Sequence, residues 1–133
     1  MATLHPSGFI HGIATSSARA LFELKRSKKP WLKAVTHTLC GDEVAKSKPD
    51  PDIFLTMART LGIDPSDCVV FEDAESGIQA AEAAGMRVIC VDSPYIGEAA
   101  KQCANAVIQD FSDIVVTRDP STGIRVNPSR PSD

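Results

Sequence analysis

Three groups of residues in this chain have the types and spacing to do chemistry, and the chemistry is that of phosphate on a divalent cation. Lys48 stands between serine and proline in Lys46-Ser47-Lys48-Pro49-Asp50-Pro51, and a helix length later come two adjacent acids in Val70-Phe71-Glu72-Asp73-Ala74-Glu75-Ser76-Gly77. A rigidly presented ammonium can neutralise charge as it develops on a phosphate or an attacking carboxylate. Neighbouring carboxylates are costly unless cations or donors compensate them, and their hard oxygens suit magnesium. The third group is Gly12-Ile13-Ala14-Thr15-Ser16-Ser17. Here the Thr15 hydroxyl, with the N–H groups that open the following helix, would make an anion site for phosphoryl oxygens. Ser16 beside it and Arg19 one turn further are the candidate substrate contacts. Taken singly, each residue has a plainer reading: a loop lysine, acids at a helix start, a Thr/Ser helix cap, a surface arginine. Their order along one chain favours the chemical reading.

The elements that must position these residues are strands and helices in alternation, the pattern of a parallel sheet with crossover helices. Phe9 to Ala14 reads as a strand ending at Thr15, with Ser16 or Ser17 capping a helix that runs to about Lys25. Ala34 to Cys40 is the next strand. Asp50-Pro51 supplies a cap and a first-turn proline, after which Ile53, Phe54, Met57, Ala58 and Leu61 share one helical face up to Gly62. Cys68 to Phe71 is a continuous apolar run suited to a strand covered on both faces. A helix over Ser76 to Ala84 and a strand over Met86 to Val91 follow, then a helix from Gly97 to Ala104 and a short strand Ala106 to Ile108. Phe111 to Val116 is expected as a final helical turn or two. Residues 118–133 contain three prolines and few apolar residues and are expected to be a flexible tail, so that residues 1–117 form the folded unit. In such a sheet, ligands bind beyond the carboxyl ends of the strands, where Thr15, Lys48, Glu72 and Asp73 all fall.

Composition narrows the field. The 133 residues are 43% hydrophobic and 23% charged with a formal charge of -3, which suits one globular unit with a modest core. The acidic balance argues against nucleic acid or an anionic membrane as partner, and the short run Lys25-Arg26-Ser27-Lys28-Lys29 reads as a solvated helix end. Cys40, Cys68, Cys90 and Cys103 lack C-x-x-C spacing and read as reduced thiols. No apolar run reaches the roughly 18 residues of a membrane span, and the first residues lack the features of a signal peptide, so a cytoplasmic location is expected. The histidines His5, His11 and His37 lack zinc-ligand spacing. No G-x-S-x-G elbow accompanies Ser16 or Ser17, which argues against acyl transfer.

From Phe9 to about Phe111 the chain resembles the haloacid dehalogenase superfamily of phosphotransferases, in the branch of small phosphomonoesterases similar to pseudouridine-5'-phosphatase and beta-phosphoglucomutase. Gly12 to Ser17 looks like the second motif of that family, Ser47-Lys48-Pro49-Asp50-Pro51-Asp52-Ile53-Phe54 like the third, and Val70 to Gly77 like the fourth. The resemblance implies a Rossmann-like α/β core with flanking helices. It also implies Mg2+ as cofactor, a small phosphorylated metabolite as substrate, Thr15 and Lys48 at the phosphoryl group, and Glu72 and Asp73 on the metal. The family's nucleophile is an Asp of an Asp-x-Asp-Gly motif that becomes an aspartyl phosphate. No such motif ends an apolar strand here, and residues 1–14 contain no acid. The resemblance therefore implies a core without its central first strand and helical cap, inactive alone as a phosphatase. It leaves exposed sheet edges for self-association, for a missing amino-terminal segment, or for the role of a non-catalytic interaction module.

Overall fold

The structure is a computed structural model that describes residues 10–117 and 125–128. Strands and helices alternate from β1 (Ile13–Thr15) through α1 (Arg19–Ser27), α2 (Pro30–Lys33), β2 (Thr38–Cys40), α3 (Asp52–Leu61), β3 (Val69–Glu72), α4 (Glu75–Ala83), β4 (Arg87–Val91) and α5 (Glu98–Cys103) to β5 (Ala106–Ile108). All pairings among these strands are parallel, as the alternation predicts. They do not form one sheet. β1 pairs with β2, and β3, β4 and β5 pair in that order, with no pairing between β1 and β3.

The buried residues fall into two clusters. Ile13, Phe22, Leu32, Val35 and Cys40 form one cluster between β1, β2, α1 and α2. Ile53, Phe54, Ile78, Val88 and Cys90 centre the other, between α3, α4 and β4, and Ala14 of β1 and Leu39 of β2 pack against it from the smaller sheet. The apolar face of α3 drawn from the sequence is the one that packs, since Ile53, Phe54, Met57 and Ala58 are buried. Gly62 and Gly85 end α3 and the turn after α4 at φ 69° and 75°, in the left-handed region that glycine enters without a Cβ penalty. The next residue in each case donates its N–H back into the helix, Ile63 to the Ala58 carbonyl and Met86 to that of Ala81, both at 3.0 Å.

Several elements differ from the sequence reading. The strand expected over Phe9 to Ala14 is Ile13–Thr15, with residues 10–12 outside any strand. Neither Ser16 nor Ser17 caps α1: its N-cap is Ala18, and the Asp42 carboxylate accepts the Arg19 N–H at 3.0 Å from across the fold. The strand expected from Ala34 is only Thr38–Cys40; ahead of it, where the sequence suggested no element, Pro30 fits the first position of a helix and starts α2. The helical turn expected over Phe111 to Val116 is a 3-10 turn, Phe111–Asp113, held by the Asp110 and Asp113 side chains, followed by β6 (Ile114–Thr117). The tail expected to be flexible contains β7 (Arg125–Pro128), antiparallel to β6 with Val116 opposite Val126; the rest of residues 118–133 lies outside the described residues. Cys40 and Cys90 are buried, Cys68 half-buried and Cys103 exposed, all as free thiols, and burial pushes the first three up in pKa. No described helix is long and apolar enough to cross a membrane.

Arg19 fastens the smaller half. Its guanidinium donates to Glu43 at 2.6 Å, to Glu23 at 3.1 Å and to the Thr38 hydroxyl at 2.9 Å. Glu43 also accepts the Cys40 N–H at 2.8 Å, and the Arg19 bond, then that N–H, hold its carboxyl below the usual carboxylate range. A carboxyl whose folded pKa is depressed contributes stability that is present above its ordinary value of about 4.3 and is lost as pH falls through the depressed value. The melting temperature of Glu43→Gln should therefore lie below that of the parent at pH 7, with the difference closing below about pH 4. A gap that stays constant down to pH 3 would show that packing, and not the charge of Glu43, carries the effect.

Candidate active site

The loop that presents Lys48 is tied at several points. Asp50 donates its N–H to the Ser47 carbonyl and accepts the Asp52 N–H on its side chain, both at 3.0 Å, while the Asp52 carboxylate accepts the Lys46 N–H at 3.2 Å. The expected cap is displaced by one residue: Pro51 is itself the N-cap of α3 with no side-chain cap, Asp50 stands ahead of it and takes the N–H of Asp52, and Asp52 ties the preceding loop to the helix start. The Lys48–Pro49 peptide is cis. From this loop the Lys48 ammonium reaches two strands. It donates to Glu72 Oε1 at the end of β3 at 2.6 Å and to the Ala14 carbonyl of β1 at 3.3 Å, and it lies 5.0 Å from the centroid of the Phe54 ring. The side chains of Lys48 and Glu72 are only 8% and 11% exposed, so water screens the pair weakly.

Glu72 is held from a second side. Gly77, in the first turn of α4, has no side chain because a Cβ there would fall on the Glu72 carboxylate. The helix start and the strand end therefore approach as closely as they do only because residue 77 is glycine. Asp73, the next residue, is exposed. Thr15 and Ser16 lie at the end of β1, and the Thr15 hydroxyl accepts the Ser17 N–H at 3.2 Å, which fixes the turn out of the strand. Gly41 closes the neighbouring loop against Ser16 and donates its N–H to the Ser17 carbonyl at 3.0 Å.

Five of the six candidate residues line one cavity of about 510 Å³: Thr15, Ser16, Lys48, Glu72 and Asp73. Arg19 does not line it, and its guanidinium is engaged with Glu43, Glu23 and Thr38. Two participants escaped the sequence reading. The Ala14 carbonyl carries no side-chain signal, and Phe54 was assigned to the core of α3, where one ring both packs and faces the ammonium.

The site as the described residues form it does not by itself hold magnesium. An octahedral hard cation takes about six oxygens, whereas Glu72 and Asp73 are two carboxylates and Glu72 already faces Lys48. Among the described residues no group of three or more His, Cys, Asp or Glu is gathered for a metal. What the arrangement can do is place a hydroxyl, an ammonium and two acids around one opening.

The haloacid dehalogenase-like hydrolase family matches residues 1–91. A Drosophila melanogaster protein named "Probable pseudouridine-5'-phosphatase" is 38% identical over 116 residues, covering 83% of this chain and 50% of its own length. Among solved structures, a haloacid dehalogenase-like protein of Agrobacterium tumefaciens superposes with a TM-score of 0.71 at 30% identity, over 80% of this chain and 52% of that one. CbbY from Rhodobacter sphaeroides, solved in complex with phosphate, does so at 0.67 and 30% identity, over 77% and 47%. The chain thus spans about half the length of the relatives it matches. Its parallel α/β architecture, and the family match over the strand ending at Thr15, the Lys48 loop and the Glu72-Asp73 turn, lead to one conclusion: the chain belongs to the haloacid dehalogenase-like hydrolase family.

Proposed function

We propose that this chain carries one part of the active site of a magnesium-dependent phosphatase acting on small phosphate monoesters, of the sugar or nucleoside phosphate class. The observation that carries the reading is the reach of Lys48, which draws the end of β1 and the end of β3 to one opening at 3.3 and 2.6 Å. Thr15 and the N–H groups after it would bind phosphoryl oxygens, and Lys48 would neutralise the charge that develops during transfer. Ser16 is the remaining candidate substrate contact; Arg19 is better assigned to holding α1 against β2. Magnesium would need Glu72 and Asp73 together with oxygen donors from outside the described residues, and would supply electrostatic stabilisation of the phosphoryl group.

No acid ends a strand beside Lys48 on the β1 side, so the carboxylate that would form an aspartyl phosphate has no candidate among these residues. The chain alone should bind phosphate without turning over its esters. Two measurements separate these claims. Addition of inorganic phosphate should shift the backbone NMR signals of Thr15, Ser16 and Ser17, and Thr15→Ala should abolish the shifts; unchanged signals would dismiss the phosphate site. Hydrolysis of an aryl phosphate with magnesium should not exceed that of the Glu72→Ala, Asp73→Ala double variant. Activity lost in that variant would mean that the chain has a nucleophile of its own.

A further inference from the structure

The outward face of α1 is apolar where a surface helix is ordinarily polar. Phe22 is buried in the cluster it shares with Leu32 and Val35, so the opposite side of the helix meets water. That side carries Ala20, Leu21 and Leu24, all exposed, the two leucines at 48% and 54%. α2 continues the surface. Leu32 turns into the same cluster as Phe22, and its neighbour Trp31 is left 42% exposed. Arg26 donates to the Val35 carbonyl at 3.0 Å, which holds the end of α1 against the chain that leaves α2.

Cations accompany these side chains. Residues 25–33 hold Lys25, Arg26, Lys28, Lys29 and Lys33 and no acid, in a chain whose formal charge is -3. Helix dipoles account for the cations at the ends of α1 and α2, but Lys29 is the N-cap of α2, the end where a dipole disfavours a cation. Among the described residues no carboxylate pairs with Lys28, Lys29 or Lys33. The Lys29 ammonium lies 5.9 Å from the centroid of the Trp31 ring, so charge and apolar surface are in contact.

We propose that this face docks on a membrane surface containing anionic lipid, with Leu21, Leu24 and Trp31 entering the headgroup layer and the lysines facing the lipid anions. Lysine and tryptophan suit that boundary, since each has an apolar body and a polar tip. The net charge of the whole chain has the wrong sign for such a partner. Salt, however, confines its effect to about 8 Å, so the groups nearest the lipid decide. An acidic helix of a protein partner would need a groove to lie in. Here the apolar residues stand outward on two helices, and none of them lines the cavity described above. Three apolar side chains make the attachment reversible. This inference rests on α1 and α2 alone and is independent of the phosphate reading.

Trp31 is the single tryptophan of the chain, so its emission reports docking directly. Vesicles of phosphatidylserine and phosphatidylcholine in equal parts, added to the full chain, should shift that emission to shorter wavelength, and the protein should sediment with them. Vesicles of phosphatidylcholine alone should bind at least about tenfold more weakly, and molar salt should release the protein from the mixed ones. Lys28→Glu with Lys29→Glu should cut binding to the mixed vesicles at least about tenfold. Leu21→Ser with Leu24→Ser should cut it by about as much, through lost apolar contact. All four side chains are exposed, so the circular dichroism of both variants should match the parent. No shift with the mixed vesicles, equal binding to the two kinds, or binding that survives the lysine variant would each overturn the proposal. A synthetic acidic amphipathic peptide that shifts the emission where the vesicles do not would overturn it too, by assigning the face to a protein partner.

Discussion

Lys48→Met should lower the stability of this chain by about 3 kcal/mol, a loss of order 10 °C in melting temperature, with little change in the length of any element. The cause is the carboxylate left behind. Glu72 is 11% exposed and its ion pair with Lys48, at 2.6 Å, is the salt bridge of the described residues with the most buried partners. Removing the cation leaves that charge with poor access to water, which costs more than the pair contributes relative to an apolar replacement. The companion expectation follows from the same asymmetry: Lys48→Met combined with Glu72→Leu should recover most of the loss, because both charges are then gone and the site is floored by Phe54. Thermal or urea unfolding of the four proteins closes the cycle. A Lys48→Met variant within about 0.5 kcal/mol of the parent would show that water reaches Glu72 freely and that the lysine is an ordinary surface residue.

Gly77→Ala should destabilise by about 2 kcal/mol in the parent and stabilise by up to about 1 kcal/mol once Glu72 is alanine. Alanine is the better helix former, so an effect of propensity alone would be favourable in both backgrounds. The new methyl, however, falls where the Glu72 carboxylate sits. That carboxylate cannot swing aside without giving up Lys48. The steric cost therefore exists only while Glu72 is present, and the sign of the substitution reverses between backgrounds, an interaction energy of about 3 kcal/mol. The same cycle read by urea unfolding decides the matter. Additive effects would mean that Glu72 adopts another rotamer at no cost and that the glycine serves α4 alone.

The parts of this molecule that were legible in its sequence are those whose cause is local. The five residues that line the cavity each follow a strand or sit in a proline-braced loop, and strand ends can be read from apolar runs. The apolar face of α3 was legible for the same reason. What escaped depends on partners distant in the chain. Arg19 looks like a surface arginine until Glu43 arrives from 24 residues away, and the acceptor of Lys48 in β1 is 34 residues distant. Residues 111 to 116 carry a short apolar pattern that fits a helical turn or a strand equally well, and Val126, which decides it, lies across an intervening stretch of polar residues. The helix α2, Pro30–Lys33, had no reading in the sequence, because four residues are too few to show a helical period.

The division of the hydrophobic residues into two clusters also has a consequence for how the native state comes apart. β4 has a partner on each side and lies on the larger cluster, so its amides can exchange with solvent only when much of the molecule opens. β1 has a partner on one side, and the cluster beneath it holds five buried residues. The segment from Ile13 to Cys40 is therefore expected to open at a lower free energy than the remainder, held to it by the Lys48 ammonium and by Ala14 and Leu39, which pack on the larger cluster beneath α3. Amides of β1 and β2 should accordingly exchange faster than those of β4, and equal protection of the three strands would show that the whole described fold opens as one unit.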